Sequence, residues 1–589
     1  MTISIHPALI LILGSLVLPI LSGSKRRFVY LFLPILGFLN LLGLEEGSRL
    51  TLSFMEFELV VIRVDKLSLL FGYLFHIAAF IGAIFSFRVR DTTQLVTASM
   101  YVGSAIGVVF AGDLITLSIF WELQAITSVF LIWARRRQNS IFCGIRYLLM
   151  QIASGLLLIA GIAMQYNQTG SILFERMELH SIASFFLFFA FGIKCAFPLF
   201  HTWVVDAYPE ATPTGTVFLS VITTKVAVYA LARGFPGTDI LVEIGTVMAI
   251  FPIFYAVIEN DLRRVLGYSM INQIGFMVVG IGIGTPMALN GAVATAFVHV
   301  IYKGLLFMSM GAVLYRTGRI NGSDLGGLYK SMPWTTGFCI VGAASISAFP
   351  LFSGFISKSM VMTAVGTEGR IGVWLCLLFA SAGVFHHAGI KIPYFAFFAH
   401  DSGIRTKEAP FHMLVAMGLA AVICIFIGSF PSVLYNRLPY PVEYVPYTLT
   451  HIITQTQLLV FSALAFTVLM LTKVYPPELR SMNIDFDWVY RKGGRFIYGM
   501  ADLVLNRINQ LFHRVFVGRL IPFLANFSSQ LPLRIPSAIA IPIWRLGKID
   551  EREFSRRMEG LRSYVRTSTM PIGISVYLVV LFLALLFLV

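Results

Sequence analysis

Four lysines and one glutamate stand inside long apolar runs of this sequence: Lys194, Lys225, Lys303, Lys391 and Glu122. An ionised side chain at the centre of a lipid-spanning helix costs roughly 2.5–3.5 kcal/mol on insertion scales. Five would cost about 12–17 kcal/mol, comparable to the whole stability of an ordinary domain, about 5–15 kcal/mol. Snorkelling lowers this for groups near a span end. Such residues must pair with one another, face a bundle interior or line water, and the chemistry they offer is proton transfer. Desolvation favours a neutral amine, whereas a nearby carboxylate favours the ammonium. Moving or recharging the carboxylate therefore decides whether a lysine keeps its proton.

The neighbours of these residues sharpen the reading. Glu122 lies about mid-span in Phe120-Trp121-Glu122-Leu123. Thr223 and Thr224 precede Lys225 and bring hydroxyls to it. His299 and Lys303 are four apart, on one helix face, which suits a relay. His386 and His387 precede Lys391 on one run, and at most one of them shares its face. Lys194 follows Gly192-Ile193 and stands four residues before Pro198; Lys391 follows Gly389-Ile390 and stands two before Pro393. Proline inside a span breaks or kinks the helix, and paired broken helices in corresponding halves point to ion sites between inverted repeats. Pro198 and Pro393 are therefore the expected breaks. Asp113, near a span end, reads first as a helix cap and second as an oxygen donor for a cation. Glu243 lies close to a span end and is set aside, and the isolated His76 and His451 read as packing residues.

The elements that must position these groups follow from composition. Of 589 residues 57% are hydrophobic and 12% charged, against about 25% charged in an average soluble domain. That leaves too little polar surface for a water-soluble globule, a disordered chain or a fibre. The apolar runs are about 20 residues long without alternation, which means membrane-spanning helices and not a barrel. Sixteen spans are expected, near 4–22, 28–44, 67–87, 93–111, 114–134, 143–165, 182–200, 213–232, 240–258, 265–284, 291–315, 336–356, 371–399, 411–430, 447–472 and 571–589. The first has Lys25, Arg26 and Arg27 after it and no basic residue before it, so it reads as a retained helix and not a signal peptide. Most of the 44 lysines and arginines fall in alternate loops on one side. The net charge of +15 is thus a topology and headgroup signal, with no nucleic-acid partner implied. That side is expected to be cytoplasmic, with both termini outside. Residues 474–570 interleave basic and aromatic positions (Trp488, Tyr490, Phe496, Arg507, Arg514) and read as helix lying along the interface. They serve either as a strut for a partner protein or as a tether to the last span. The five cysteines form no metal-ligand spacing, and no haem, iron–sulfur, zinc, dinucleotide or P-loop signature is found. No cofactor, metal or catalytic centre is expected.

The stretches FWELQAITSVFLIW (120–133), GIKCAFPLFHTWVVDAYPEATPTGTVFLSVITTKVAVYALAR (192–233), DLRRVLGYSMINQIGFM (261–277) and HVIYKGLLFMSMGAVLYRTG (299–318) resemble the antiporter-like membrane subunits. These are shared by Mrp-type cation/proton antiporters, respiratory complex I and membrane-bound hydrogenases. The resemblance runs over roughly 60–430. It implies an all-α polytopic membrane protein of about 14–16 transmembrane helices, with two inverted five-helix repeats each holding a discontinuous helix. It further implies half-channels at 93–235 and 236–400 between N-terminal helices 1–92 and additional spans 401–473, followed by the interfacial segment 474–570 and a final helix 571–589. The Glu122–Lys194 pair becomes the coupling pair, and Lys225, His299, Lys303 and Lys391 the proton path, with its exit near Lys391. The run GVFHHAGIKIPYFAFF and the lysine at 391 are most similar to the D-type component of an Mrp-type Na+/H+ antiporter, whereas the C-terminal extension is more like the largest antiporter-like component of complex I. The implied partners are other hydrophobic subunits of one complex, the lipid bilayer, and protons with Na+ as a second candidate cargo, in a prokaryotic inner membrane. A proton-pumping component of a redox-driven complex and a scaffold with degenerate ion sites are the rival readings.

Overall fold

The structure is a computed structural model that describes residues 5–479 and 483–567, with isolated positions between 576 and 583. It divides into two units, Met1–Asp487 and Trp488–Val589.

The first unit is a helical bundle. In chain order it holds α1 (Pro7–Val17), α2 (Gly23–Leu42), a hairpin of β1 (Arg49–Phe54) and β2 (Phe57–Arg63), α3 (Lys66–Phe85), α4 (Thr92–Phe110), α5 (Leu114–Trp133) and α6 (Gln138–Thr169). Then come α7 (Ile182–Lys194), α8 (Thr202–Ala207), α9 (Gly215–Gly234), α10 (Ile240–Ile258), α11 (Leu262–Ile283), α12 (Pro286–Thr317), α13 (Pro333–Ile346) and α14 (Ser353–Thr367). Last are α15 (Ile371–Phe398), α16 (Phe411–Ser429) and α17 (Leu449–Leu471). Among the described residues, eleven helices are long and apolar enough to cross a bilayer. The polytopic all-α architecture agrees with the sequence reading, with one addition. The hairpin occupies a stretch for which no element was expected, although Arg49-Leu50-Thr51-Leu52-Ser53-Phe54 alternates polar and apolar as a strand does. It is pinned to the bundle where Gly112 N–H donates to Val60 C=O (2.8 Å) and Arg63 donates to Phe174 C=O (2.7 Å). The span expected at 571–589 lies outside the described stretches.

What positions the site is the burial of three helices. α9 and α12 are buried along their apolar windows, and α11 nearly so. Helices apolar all round sit inside a bundle, and the lysines and histidine on α9 and α12 are carried there with them. α5, α6, α10 and α17 keep lipid-facing sides: Ile119, Leu156, Phe254 and Val460 are exposed.

The second unit is built of helices Asp487–Phe512, Ile521–Leu546 and Glu551–Thr567, joined to one another by a π-helical stretch at His513–Leu520 and a short link. Its large apolar side chains, Phe496, Ile497, Phe512 and Phe523 among them, are exposed. The boundary lies later than the expected 474, because residues 475–479 and 483–487 belong to the bundle.

Candidate functional site

The centre of the bundle holds a row of fully buried ionisable groups. Lys225 on α9 donates to Ser220 C=O (2.8 Å) and to Thr224 Oγ1 (3.1 Å), so one of the two threonines ahead of it does hydrate the ammonium. On α12, His299 and Lys303 are both 0% exposed. Among the described residues neither ring nitrogen of His299 nor Nζ of Lys303 has a hydrogen-bond partner, and the His387 ring meets the Gly383 backbone four residues back on its own helix. Lys225 and Lys303 are the charges that bear on His299, and Lys303, His386 and Lys391 those that bear on His387. The structure thus brings Lys225, His299, Lys303 and His387 into one electrostatic neighbourhood. His386 lies at its edge, its ring against Phe466 and Tyr475.

Glu122 and Lys194 occupy neighbouring helices without a direct ion pair. Lys194 ends α7, lies 4.0 Å over the Trp121 ring, and donates to Trp121 C=O (3.0 Å) and Gln124 Oε1 (3.2 Å). The Glu122 carboxylate sits instead over Gly155 on α6, where a Cβ would fall 1.3 Å from Oε1. The missing side chain at 155 is what gives the acid its seat. Trp121 is fixed by its indole N–H to Ser154 Oγ (3.0 Å), which in turn donates to Ala190 C=O (2.7 Å). Asp113 caps α5, accepting from Thr116 N (2.7 Å) and Thr116 Oγ1 (2.7 Å), and it joins none of these groups.

Among the described residues two helices are broken, and only one break is where expected. α7 stops before Pro198 and α8 resumes the crossing, with Ala196 (φ 64°) and Leu199 (φ 74°) in the left-handed region. The second break separates α13 from α14, with Ala348 (φ 58°) and Leu351 (φ 72°) in the same conformation. The sequence at both is Ala-Phe-Pro-Leu-Phe, at 196–200 and 348–352. Non-glycine residues in this region cost of order 1–3 kcal/mol each, so two identical pairs mark a duplicated device. Close approach secures the second: a Cβ on Gly354 would meet Ser345 O at 1.9 Å. Pro393, expected as the second break, is not one. α15 runs from Ile371 through Pro393 to Phe398 by widening into π-helical turns at 385–390 and 394–398, which re-aim the carbonyls that proline leaves unpaired. The match between Gly192-Ile193-Lys194 and Gly389-Ile390-Lys391 is therefore a coincidence of three residues.

This correction exposes a residue that sequence reasoning missed. A span ending at 356 leaves Lys358 in a loop, but α14 continues to Thr367 and Lys358 is buried within it. Its Nζ donates to Ile346 C=O (3.2 Å), the last carbonyl of α13, and reaches Ser381 Oγ (3.5 Å). It also lines a cavity of about 500 Å³ with Thr363, Thr367, Ser381, His451 and Gln455. The repeated pentapeptide was the signal that would have found it.

Lys391 has a different surrounding. Its ammonium is 0% exposed and donates to Ala256 C=O (3.2 Å), Val257 C=O (2.6 Å) and Glu259 C=O (2.7 Å), and it pairs with Glu478 Oε1 at 2.9 Å. It closes the C-terminal end of α10, where the helix dipole favours a cation.

Residues 111–397 match the family described as NADH:quinone oxidoreductase/Mrp antiporter, transmembrane. The A-type component of the Na(+)/H(+) antiporter of Alkalihalophilus pseudofirmus is 29% identical over 424 residues, covering 63% of this chain and 52% of that protein. Hydrogenase-4 component B of Escherichia coli is 24% identical over 431 residues, covering 65% and 64%. The chain thus spans about half to two thirds of the length of these relatives. Among solved structures, a chain of the Mrp complex from Dietzia sp. superposes with a TM-score of 0.67 at 19% identity, over 74% of this chain and 96% of that one. A chain of an archaeal membrane-bound sulfane sulfur reductase gives 0.68 at 21%, over 92% and 99%. These two likenesses establish the fold.

Proposed function

We propose, for a chain whose residues 111–397 belong to the NADH:quinone oxidoreductase/Mrp antiporter transmembrane family, the role of a proton-translocating subunit in a multisubunit complex of a prokaryotic inner membrane. One observation carries this reading: His299 and Lys303 are fully buried with no hydrogen-bond partner among the described residues. A buried polar group left unpartnered costs about 1–3 kcal/mol, and more if charged. A packing role would have been served better by apolar residues. Groups that exchange protons with one another and with water make that expense intelligible.

Protons enter this scheme from the cytoplasmic side towards Lys225, pass along His299 and Lys303, and leave through Lys358 and the cavity beside it. Lys358 takes the outer place that the resemblance alone gives to Lys391. Glu122 and Lys194 act as the coupling pair. In the resting geometry Lys194 is held by Trp121 and Gln124, and a swing of the Glu122 carboxylate towards it strengthens its hold on the proton. The duplicated break supports treating 93–235 and 236–400 as the two half-channels. The test is ΔpH-driven cation exchange in vesicles carrying the intact complex. Lys303→Ala and Lys194→Ala should each abolish it, and undiminished exchange in both would end the reading.

Which complex owns the chain is a finer question. The D-type component of an Mrp-type Na+/H+ antiporter is the assignment we put to test, on the resemblance of the run 383–398. A redox-driven complex is the second reading, favoured by the likeness to a hydrogenase component over 65% of the chain. Purification from native membranes decides between them: small hydrophobic subunits alone support the antiporter, and co-purifying iron–sulfur or nickel proteins support the redox complex.

A further inference from the structure

Two short stretches that follow α17, residues 475–479 and 483–486, place carboxylates inside the bundle. Glu478 is 8% exposed and meets Lys391 at 2.9 Å. No other donor among the described residues bonds its oxygens. Asp485 accepts from Tyr268 Oη (2.7 Å) and pairs with His201 Nε2 (3.2 Å), which stands at the first helix break. Asn483 donates to Glu259 Oε2 (3.3 Å), and Arg264 lies 3.8 Å from the same carboxylate. The start of the C-terminal extension is thus tied to α10, α11, α15 and the α7–α8 break at once.

We infer that Glu478 is a proton-exchanging residue of the transport path, which it feeds through Lys391, so that the extension begins inside the transfer machinery. This rests on the proposed transport role. The geometry has three parts. Glu478 is buried with a single cation to answer it among the described residues. That cation is itself buried and bears on His386 and His387, and His387 leads to Lys303. Among the described residues the groups facing Glu478 are few: Lys391 from α15, Glu259 from the end of α10, Tyr475 from its own stretch, and Gly322, where a Cβ would stand 3.6 Å from Oε2. Burial raises Glu478 above the usual carboxylate range against the pull of Lys391, which brings proton binding nearer to neutral pH.

The step balances in protons. Water on the cytoplasmic side gives a proton to the Glu478 carboxylate, which becomes neutral. Lys391, its counterion gone, passes one proton from its ammonium to the His387 imidazole, on which it bears. The Glu478 carboxyl then returns its proton to the Lys391 amine, and the ion pair is restored. One proton has left water and one has reached the central row, with no bond broken except O–H and N–H.

The experiment measures transport by the full complex in vesicles across a range of pH. Glu478→Gln, which carries no exchangeable carboxyl proton, should lower the rate about a hundredfold, the scale of a lost general acid–base group. Glu478→Asp should restore part of it with a shifted pH profile, and Glu478→Gln with Lys391→Gln should be no slower than either alone. Should Glu478→Gln fail to assemble, Glu478→Asp carries the test by its rate and pH profile. A Glu478→Gln complex, or failing that a Glu478→Asp complex, with the original rate and profile overturns the inference. If Lys303→Ala then abolishes transport, the transport role stands without Glu478. If Lys303→Ala is also silent, the transport role falls with it.

Discussion

Gly155→Ala offers a way to move the Glu122 carboxylate without touching it. In the present packing the new Cβ would lie 1.3 Å from Glu122 Oε1 and 2.5 Å from Cδ. Ordinary non-bonded contact is about 3.5 Å, so the carboxylate must retreat by about 2 Å. Small-to-large changes in a packed interior typically cost about 1–3 kcal/mol, and here the flexible acid yields before the α5–α6 backbones do. The predicted result is a complex that assembles with a thermal midpoint slightly lowered and cation exchange slowed about as much as in Glu122→Ala. Glu122→Asp in the same background shortens the side chain by one methylene, draws the carboxylate back from the intruding methyl, and should recover part of the rate. The assay is ΔpH-driven exchange in vesicles, read beside the unfolding midpoint of the purified complex. Full-rate exchange in Gly155→Ala would refute the reasoning. So would an equal further loss when Gly155→Ala is added to Glu122→Gln, because the acid would then not be the group through which the methyl acts.

Lys303→Met should abolish exchange while leaving the unfolding midpoint unchanged or higher, since it replaces a buried amine with no partner among the described residues by an apolar chain of similar length; a fall of more than about 2 °C, on the order of 2 kcal/mol for a chain of this size, would contradict this. Ala348→Val places a β-branched residue at φ 58° and should lower stability by about 1–3 kcal/mol, whereas Ala348→Gly should stay within about 1 kcal/mol of the parent; denaturant or thermal titration distinguishes them. Against burial, which raises it, the His201 and Tyr268 contacts hold Asp485 below the usual carboxylate range. Its contribution is therefore present above the unfolded value of about 4 and is lost as pH falls through the lower folded value. Protection of the 483–486 amides, taken relative to the intrinsic rate at each pH, should hold at pH 5 and be lost below about pH 4, and in Asp485→Asn it should be low at both; protection independent of pH in the parent would count against the contact.

Much of the fold could be read from the sequence because apolar runs of about 20 residues admit few alternatives in lipid. The five intramembrane charges were legible for the same reason, as each violates the pattern around it. The errors have physical causes too. Proline was taken as a sufficient marker of a break, yet Pro393 is absorbed by π-helical turns. Pro350 breaks its helix because Ala348 and Leu351 take left-handed backbone beside it, a choice that tertiary packing at Gly354 secures. Lys358 was lost with that misplaced boundary. Glu478 and Asp485 were hidden by composition: the residues around them are polar enough to pass for a tether. Only packing against α10, α11 and α15 reveals that this stretch starts in the bundle.

Three lysines stand at helix ends in the bundle, two of them at the breaks and one at the end of α10. Lys194 is the last residue of α7, Lys358 holds the last carbonyl of α13, and Lys391 gathers three at the end of α10. A charge-assisted hydrogen bond is roughly twice as strong as a neutral one. An amine that gives up its proton therefore also slackens its grip on the carbonyls beneath it. Under the proposed transport role, occupancy by a proton becomes a mechanical quantity, a tension that tightens and eases at each of these three moorings.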